Sequence, residues 1–257
     1  LTLYFHNDPL SMDGSKSIEQ RKKLLKCCYK IIFNSAWSKK RFLEGLENKF
    51  VNSNKLLIIY QSAKKNNLSI IKHKKKWITF VGKLNKAKGY DIFAKSIVKV
   101  LDRYPDWKAM IIGDEKREKI ILNHKNASIL GFKQHNEVLK IFKKTSITVA
   151  CSRWEEPFGR TSLEASANGC AVIITNKGGL PETVTDAKII NKLNEKILTK
   201  NIISLIDNKT LRKKLQSLSI QNFYLTHKFV SNNIDNYRSE KLFFKKKIFL
   251  KAIQKSV

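Results

Sequence analysis

Trp154-Glu155-Glu156-Pro157-Phe158-Gly159-Arg160-Thr161-Ser162-Leu163-Glu164 is the stretch on which the reading of this chain turns. It follows a strand-like apolar run, Ile147–Ala150, and leads into a short apolar helix ending near Asn168-Gly169. Pro157 and Gly159 make a tight, open turn at the start of that helix, where backbone N–H groups have no intrahelical acceptor. Such a terminus suits a phosphate or a sugar hydroxyl. Glu156 lies just before the turn and Glu164 about one turn into the helix, a spacing that leaves the two carboxylates free to hold different parts of one ligand. The carboxyl end of a strand is also where open α/β sheets bind ligands. Acidic residues at a helix start also simply complement the helix dipole, so the rest of the chain has to decide between the two readings.

Outward from this segment, short apolar runs alternate with longer amphipathic ones, the pattern of an α/β protein with mostly parallel strands. Strands are expected at Leu1–Phe5, Lys30–Asn34, Lys55–Tyr60, Trp77–Val81, Lys108–Ile112, Ala127–Leu130, Ile147–Ala150, Ala171–Thr175 and Lys188–Ile190. The clearest helix is Tyr90–Asp102, where Ile92, Phe93, Ile97, Val100 and Leu101 form one stripe and Pro105 ends the pattern. A stretch rich in Ser, Asn and Lys, 63–76, reads as a linker. It divides a first α/β unit, 1–62, from a second, 77–215, and 216–257 reads as C-terminal helices with one running from near Thr210 toward Leu225.

The 257 residues carry a formal charge of +30, from 43 lysines, 8 arginines and 21 acidic residues. The lysines are spread along the chain, and with abundant Asn and Ile they follow the A/T-rich codon pattern. A distributed excess favours anionic partners such as nucleotide phosphates and acidic lipid surfaces, and no basic tract points to nucleic acid. Ser17–Tyr29, with Arg21, Lys22, Lys23 and Lys26 beside Ile18, Leu24 and Leu25, reads as a basic amphipathic helix. Adsorption to an anionic membrane and packing as a surface helix stay open for it.

An apolar share of 42% supports a folded core. No signal peptide is visible and no apolar run approaches the ~18–20 residues of a membrane span. Cys27, Cys28, Cys151 and Cys170 form no C-x-x-C pair, consistent with a reducing cytoplasm. The five histidines lack metal-ligand spacing, and neither a metal nor a cofactor is expected. The chain opens on Leu1 inside a strand-like run, so the expectation is a first domain truncated at its N-terminus.

The Glu156–Glu164 segment resembles the E-x7-E motif of retaining family 4 glycosyltransferases. Three further matches stand in the right order. Phe80-Val81-Gly82-Lys83-Leu84-Asn85-Lys86-Ala87-Lys88-Gly89 is similar to the family's G-R-L-x-x-x-K-G loop, and Asn176-Lys177-Gly178-Gly179-Leu180-Pro181-Glu182 to its G-G-x-P-E turn. Asn34-Ser35-Ala36-Trp37-Ser38-Lys39 resembles an N-S-x-x-x-K/R segment in the first domain.

The resemblance implies a GT-B fold: two Rossmann-like domains with parallel sheets facing across a cleft, the first incomplete here and the second essentially complete, with C-terminal helices returning toward the first. It implies transfer of a sugar from a nucleotide-diphosphate sugar to a glycan or lipid-linked acceptor with retention, without a metal, in the cytoplasm or at the inner face of its membrane. Cell-envelope polysaccharide or lipopolysaccharide synthesis is the expected setting. Carried over by position, Glu156 contacts the transferred sugar, and His6, at the end of the opening strand, hydrogen-bonds at the sugar or acceptor. Gly82, Lys83 and Lys88 serve the diphosphate. Lys83 stands where the family usually has Arg, and loses the bidentate fork. The backbone of Phe158, Gly159 and Arg160 holds sugar hydroxyls or phosphate, Glu164 the ribose diol, and Gly131-Phe132-Lys133 the base. A phosphorylase-like enzyme on the same fold and a non-catalytic basic binding module are the competing classes.

Overall fold

A computed structural model gives the structure of the chain and describes residues 1–51 and 53–239. Two parallel sheets organise it. The first has three strands, β1 (Thr2–Phe5), β2 (Lys30–Phe33) and β3 (Leu56–Ile58), in the order β1-β2-β3. The crossovers carry α1 (Ile18–Cys27) and α2 (Ala36–Leu43). Phe5 and Phe33, on neighbouring strands, stack with centroids 5.6 Å apart, and Leu25 and Phe42 from the helices close over them.

The second sheet has six parallel strands: β4 (Lys75–Val81), β5 (Lys108–Ile112), β6 (Ala127–Ile129), β7 (Thr145–Ala150), β8 (Ala171–Thr175) and β9 (Ala187–Ile190). Their spatial order is β6-β5-β4-β7-β8-β9. Counted from the first strand of this unit, that is the doubly wound order 3-2-1-4-5-6, in which the order of strand addition reverses between β4 and β7. β8 shows how the sequence specifies burial on both sides. Ala171 and Ile173 join the core under α3 (Tyr90–Arg103) and α6 (Glu195–Asp207), while Val172 and Ile174 join the core under α4 (His135–Lys144) and α5 (Arg160–Ala167). Successive side chains on a strand point to opposite faces, so an unbroken apolar run fits only a sheet covered twice. In α3 the residues Phe93, Ala94, Ile97, Val100 and Leu101 are buried and Ile92 is half-buried, as one face of a 3.6-residue repeat requires.

The boundaries depart from the sequence expectation where tertiary contacts intervene. β3 stops at Ile58 instead of Tyr60, because Tyr60 leaves the sheet to pack against Phe158, 5.9 Å away, in the second unit. The 63–76 stretch is not a bare linker. Ala63 bridges Thr226, Leu68–His73 form a 3₁₀ helix, and Lys75 and Lys76 already belong to β4, where Lys75 pairs with Thr145. Lys74 is drawn inward: its ammonium donates to the carbonyls of Phe142 (2.8 Å) and Asn168 (2.7 Å), closing the C-terminal ends of α4 and α5.

α7 spans Lys209–Gln221 and ends before the expected Leu225, since Phe223 and Leu225 turn into a cluster with Phe158, Leu163 and Ala63. Residues 227–239 are helical and return to the first sheet, where Val230 packs with Ile32 and Ile59. The remainder of the expected C-terminal helices, 240–257, lies outside the described residues.

The basic helix also needs correcting. α1 is capped by Ser17 in a reciprocal pair with Gln20, and Arg21 is buried, donating to the carbonyls of Phe42 (2.5 Å) and Glu44 (2.7 Å). Arg21 therefore anchors α1 onto α2 and is not part of a basic surface. Among the described residues, no helix is long and apolar enough to cross a membrane.

Candidate active site

The reversal between β4 and β7 opens a crevice at the carboxyl ends of the two strands, and a cavity of about 90 Å³ occupies it. Phe80, Val81 and Gly82 line it from the end of β4, and Ala150, Cys151 and Ser152 from the end of β7. Lys88, Glu156, Gly159, Arg160 and Thr161 complete the charged and polar wall.

Each loop is fixed before any ligand arrives. After β4 the chain folds on Asn85, whose side-chain oxygen accepts from Lys88 N (3.0 Å) and whose amide donates to Glu115 (3.1 Å). Gly89 then starts α3 with φ +73°, where a Cβ would stand 2.0 Å from Cys151 O, so only glycine lets this loop cross the end of β7. The loop after β7 ties back to it. Ala87 O accepts from Arg153 N (2.9 Å) and Trp154 N (3.1 Å), and the Arg153 guanidinium donates to both carboxylate oxygens of Asp91, at 2.5 and 2.8 Å. Burial works to raise the Asp91 pKa, but the hydrogen bonds and charge of Arg153 outweigh it and hold the carboxyl below its ordinary value.

The turn that follows rests on two glycines. Gly179 N donates to Glu156 O (2.6 Å) and Gly178 N to Glu155 Oε2 (2.5 Å). Gly178 has φ +57°, and a Cβ there would fall 2.1 Å from Glu156 O. α5 begins at Arg160 after Gly159 (φ +122°), and no side chain caps it. Gly159, Arg160 and Thr161, at this uncapped helix start, line the cavity, and an uncapped helix start is the kind of terminus that suits an anion.

The charged groups are already paired. Lys88 Nζ lies 2.5 Å from Glu156 Oε1, with the Glu156 side chain nearly buried. Glu164, expected as a free carboxylate, is 7% exposed and receives Arg160 Nη2 (2.9 Å) and His135 Nε2 (3.0 Å) on the same oxygen. His135 opens α4, on the loop that follows Gly131-Phe132-Lys133, and so joins the site from a second direction. Sequence reading passed over it. Its one signal was a histidine at the first position of a helix beginning at the carboxyl end of the sheet.

The structure brings Gly82, Lys88, Glu156, Gly159 and Arg160 around one cavity, with Glu164 one helical turn behind Arg160. The others stand apart. Lys83 is exposed beyond the cavity lining, and Phe132 is 70% exposed on the loop after the edge strand β6. The Phe158 ring, 2% exposed, packs inward against the cluster of Ala63, Leu163 and Phe223, so only its backbone faces the turn. His6 belongs to the first unit. It is exposed, its ring lies tilted against Tyr4 with centroids 4.2 Å apart, and its carbonyl accepts from Asn34 Nδ2 at 2.9 Å. Cys151 is in the cavity wall, but burial pushes its thiol up to about 12, which keeps it protonated and unreactive. Among the described residues, no group of three or more His, Cys, Asp or Glu stands together to hold a metal ion.

Residues 62–221, which contain this entire cavity, match the model of the family "Glycosyl transferases group 1". The chain belongs to that family. Among group 1 relatives and others it resembles, spore coat protein SA of Bacillus subtilis is 29% identical over 164 residues, covering 57% of this chain and 44% of that protein. The lipopolysaccharide core biosynthesis mannosyltransferase LpsB of Rhizobium meliloti is 31% identical over 121 residues, 43% of this chain and 34% of that one. The chain thus spans less than half the length of these curated relatives.

In three dimensions the chain is similar to Anabaena HepE in complex with UDP-glucose, with TM-score 0.76 and 17% identity over 93% of this chain and 72% of that chain. It also resembles the C-terminal domain of a glycosyl transferase group 1 protein, LpcC, from Francisella tularensis. There the TM-score is 0.52 at 26% identity, over 63% of this chain and 93% of that domain. The group 1 chain described here has the α/β GT-B fold with Rossmann-like parallel sheets.

Proposed function

We propose that the chain forms the donor side of a retaining glycosyltransferase of family 4, which moves a sugar from a nucleotide-diphosphate sugar to a glycan or lipid-linked acceptor. One observation carries the reading: the uncapped start of α5 and Lys88 converge with Glu156 on a single cavity at the sheet's switch point. Amides and an ammonium are what a diphosphate leaving group needs, and a carboxylate is what sugar hydroxyls need.

In this reading the diphosphate lies against the α5 amides and Lys88, with exposed Lys83 reaching in from the rim. Glu156, released from Lys88 as the phosphates arrive, holds the transferred sugar. Glu164 takes the ribose diol, with Arg160 and His135 fixing its position, and Phe132 covers the base. His6 approaches from the first unit. The positive groups supply the charge stabilisation that a divalent ion provides elsewhere, so transfer is expected to survive a chelator.

As a division of labour we propose 1–62 for the acceptor side and 77–215 for the donor side, with the chain after 216 returning toward the first unit as far as residue 239, the last described. HepE binds UDP-glucose, and LpsB is a mannosyltransferase of lipopolysaccharide core synthesis. The UDP-glucose complex of HepE fits a nucleotide-sugar donor, and LpsB fits a role in cell-envelope glycan assembly, which we place in the cytoplasm. Exposed Lys23 and Lys26 on α1, with Lys22 beside them, suit an anionic membrane surface near a lipid-linked acceptor.

The test is titration of the full chain with UDP, GDP and their sugars, followed by product analysis with a labelled donor. A glycoside of unchanged anomeric configuration supports the proposal. Sugar 1-phosphate as the product would mark a phosphorylase, and no response to any nucleotide would leave a binding module.

A further inference from the structure

Asn34, Ser35 and Ser38 are buried polar residues at the place where the first unit meets the Glu156–Gly159 turn. Ser35 and Ser38 reach across that boundary, and Asn34 backs them from within the first unit. Ser35 Oγ donates to Pro157 O at 2.5 Å, and Ser38 Oγ lies 3.3 Å from the same carbonyl and 2.9 Å from Asn34 Oδ1. Asn34 Nδ2 in turn donates to His6 O at 2.9 Å. A short polar chain therefore runs from the residue after Glu156 to His6.

Glu182 closes this seam. It sits in a 3₁₀ turn, Leu180–Thr183, of the second unit, yet both carboxylate oxygens point at the start of α2 in the first. Ala36 N donates to Oε2 at 2.7 Å and Trp37 N to Oε1 at 2.9 Å. Ser35 caps the next amide, Ser38 N, at 2.9 Å. The amides that a helix start leaves unpartnered are thus shared between a local cap and a carboxylate from the other unit. Gly179, three residues before Glu182, allows the approach: a Cβ there would meet Pro157 O at 2.6 Å and Ser35 Cβ at 3.0 Å. Tyr60 flanks the carboxylate, its phenol pushed up to about 12 by burial and then by the charge and hydrogen bond of Glu182.

We infer that Glu182 is a positioning residue: by receiving the Ala36 and Trp37 amides it docks the first unit on the Pro157 turn and sets where His6 stands relative to Glu156. The connection is made of backbone, two serines and an asparagine, with no long flexible side chain, so a shift at Glu182 is passed on and not absorbed. Glu182 touches neither the cavity nor His6, and its effect on transfer is through their alignment. The catalytic consequence rests on the glycosyltransferase reading proposed above.

The test compares wild type, Glu182→Ala and Glu182→Gln in the full chain. Amide hydrogen exchange is read in 34–39, in 156–160 and in the core strand 171–175. Kinetics are read as UDP or GDP release from whichever of UDP-glucose and GDP-mannose the wild type turns over. In Glu182→Ala, exchange should speed up in 34–39 and 156–160 and stay unchanged in 171–175. Its kcat should fall by about 10- to 100-fold through misalignment, with KM and nucleoside diphosphate affinity held. Glu182→Gln keeps one acceptor oxygen and should recover part of both readouts.

Unchanged exchange in 34–39 overturns the docking. Faster exchange with unchanged kcat, or with KM and affinity lost in step with kcat, overturns the positioning role. Should Glu182→Ala also lose protection in 171–175, Glu182→Gln decides, and no partial kcat loss with an intact core overturns the inference. A wild type that binds no nucleoside diphosphate refutes the glycosyltransferase reading, and exchange alone still judges the docking.

Discussion

The Lys88 ammonium stands 2.5 Å from the Glu156 carboxylate, so the cation and anion of the cavity are closed on each other. An entering diphosphate competes with Glu156 for Lys88, and a sugar then finds a carboxylate freed for its hydroxyls. Lys88→Ala should weaken nucleoside diphosphate binding by about 10- to 100-fold, the 1.5–3 kcal/mol of a charge-assisted hydrogen bond. Glu156→Gln removes the competitor, so diphosphate affinity should hold or rise while kcat falls. Calorimetric titration beside steady-state kinetics separates the two effects.

Glu164 makes the opposite prediction. It is nearly buried and shares one oxygen between Arg160 and His135, so its position is set before a ligand binds. Glu164→Ala should cost about tenfold or more in nucleotide affinity. The loss should be larger for a ribonucleotide than for its 2′-deoxy analogue, which narrows the difference between them. Equal losses for both would remove Glu164 from the ribose.

Asp91 and Arg153 tie the two site loops together, and their coupling has a pH signature. The folded-state pKa of Asp91 lies below its ordinary value of 3.8. Its contribution is therefore complete above that pH and is lost as pH falls through the lower folded value. Asp91→Asn should lower stability at pH 7 by on the order of 1 kcal/mol and flatten the acid limb below about pH 4. Urea denaturation from pH 7 to 3 measures both.

Lys74→Met keeps the length and removes the ammonium that closes the ends of α4 and α5. Two buried carbonyls then lose their donor, which should destabilise the fold by about 1–3 kcal/mol. Diphosphate affinity should be unchanged, since Lys74 does not line the cavity. A thermal melt with a parallel UDP titration distinguishes this structural lysine from Lys88.

Lys74 and Lys88 also mark the limit of what the sequence makes legible. The alternating elements, the run Ala171–Thr175 and the stripe on α3 are local patterns, and the doubly wound sheet follows from them. The turn at Pro157 and Gly159 and its flanking glutamates could likewise be placed at a strand's carboxyl end. Which charge meets which is a matter of distant chain segments. Lys74 lies in a stretch whose Ser, Asn and Lys content signals solvent, and Arg21 in a helix that reads as a basic surface, yet both turn inward onto carbonyls. Phe158 sits in an open turn by sequence, but its ring belongs to the contact between units. His135 reaches Glu164 from 29 residues away, and no spacing rule connects them.

The central claim is that the crevice between β4 and β7 is a nucleotide-sugar site. Calorimetric titration of the full chain with UDP and GDP, repeated on Lys88→Ala and Glu164→Ala, tests it most directly. Saturable one-to-one binding of one of the two, weakened about tenfold or more by each substitution, is the predicted result. Absence of binding by the wild type, or binding that neither substitution alters, would contradict it.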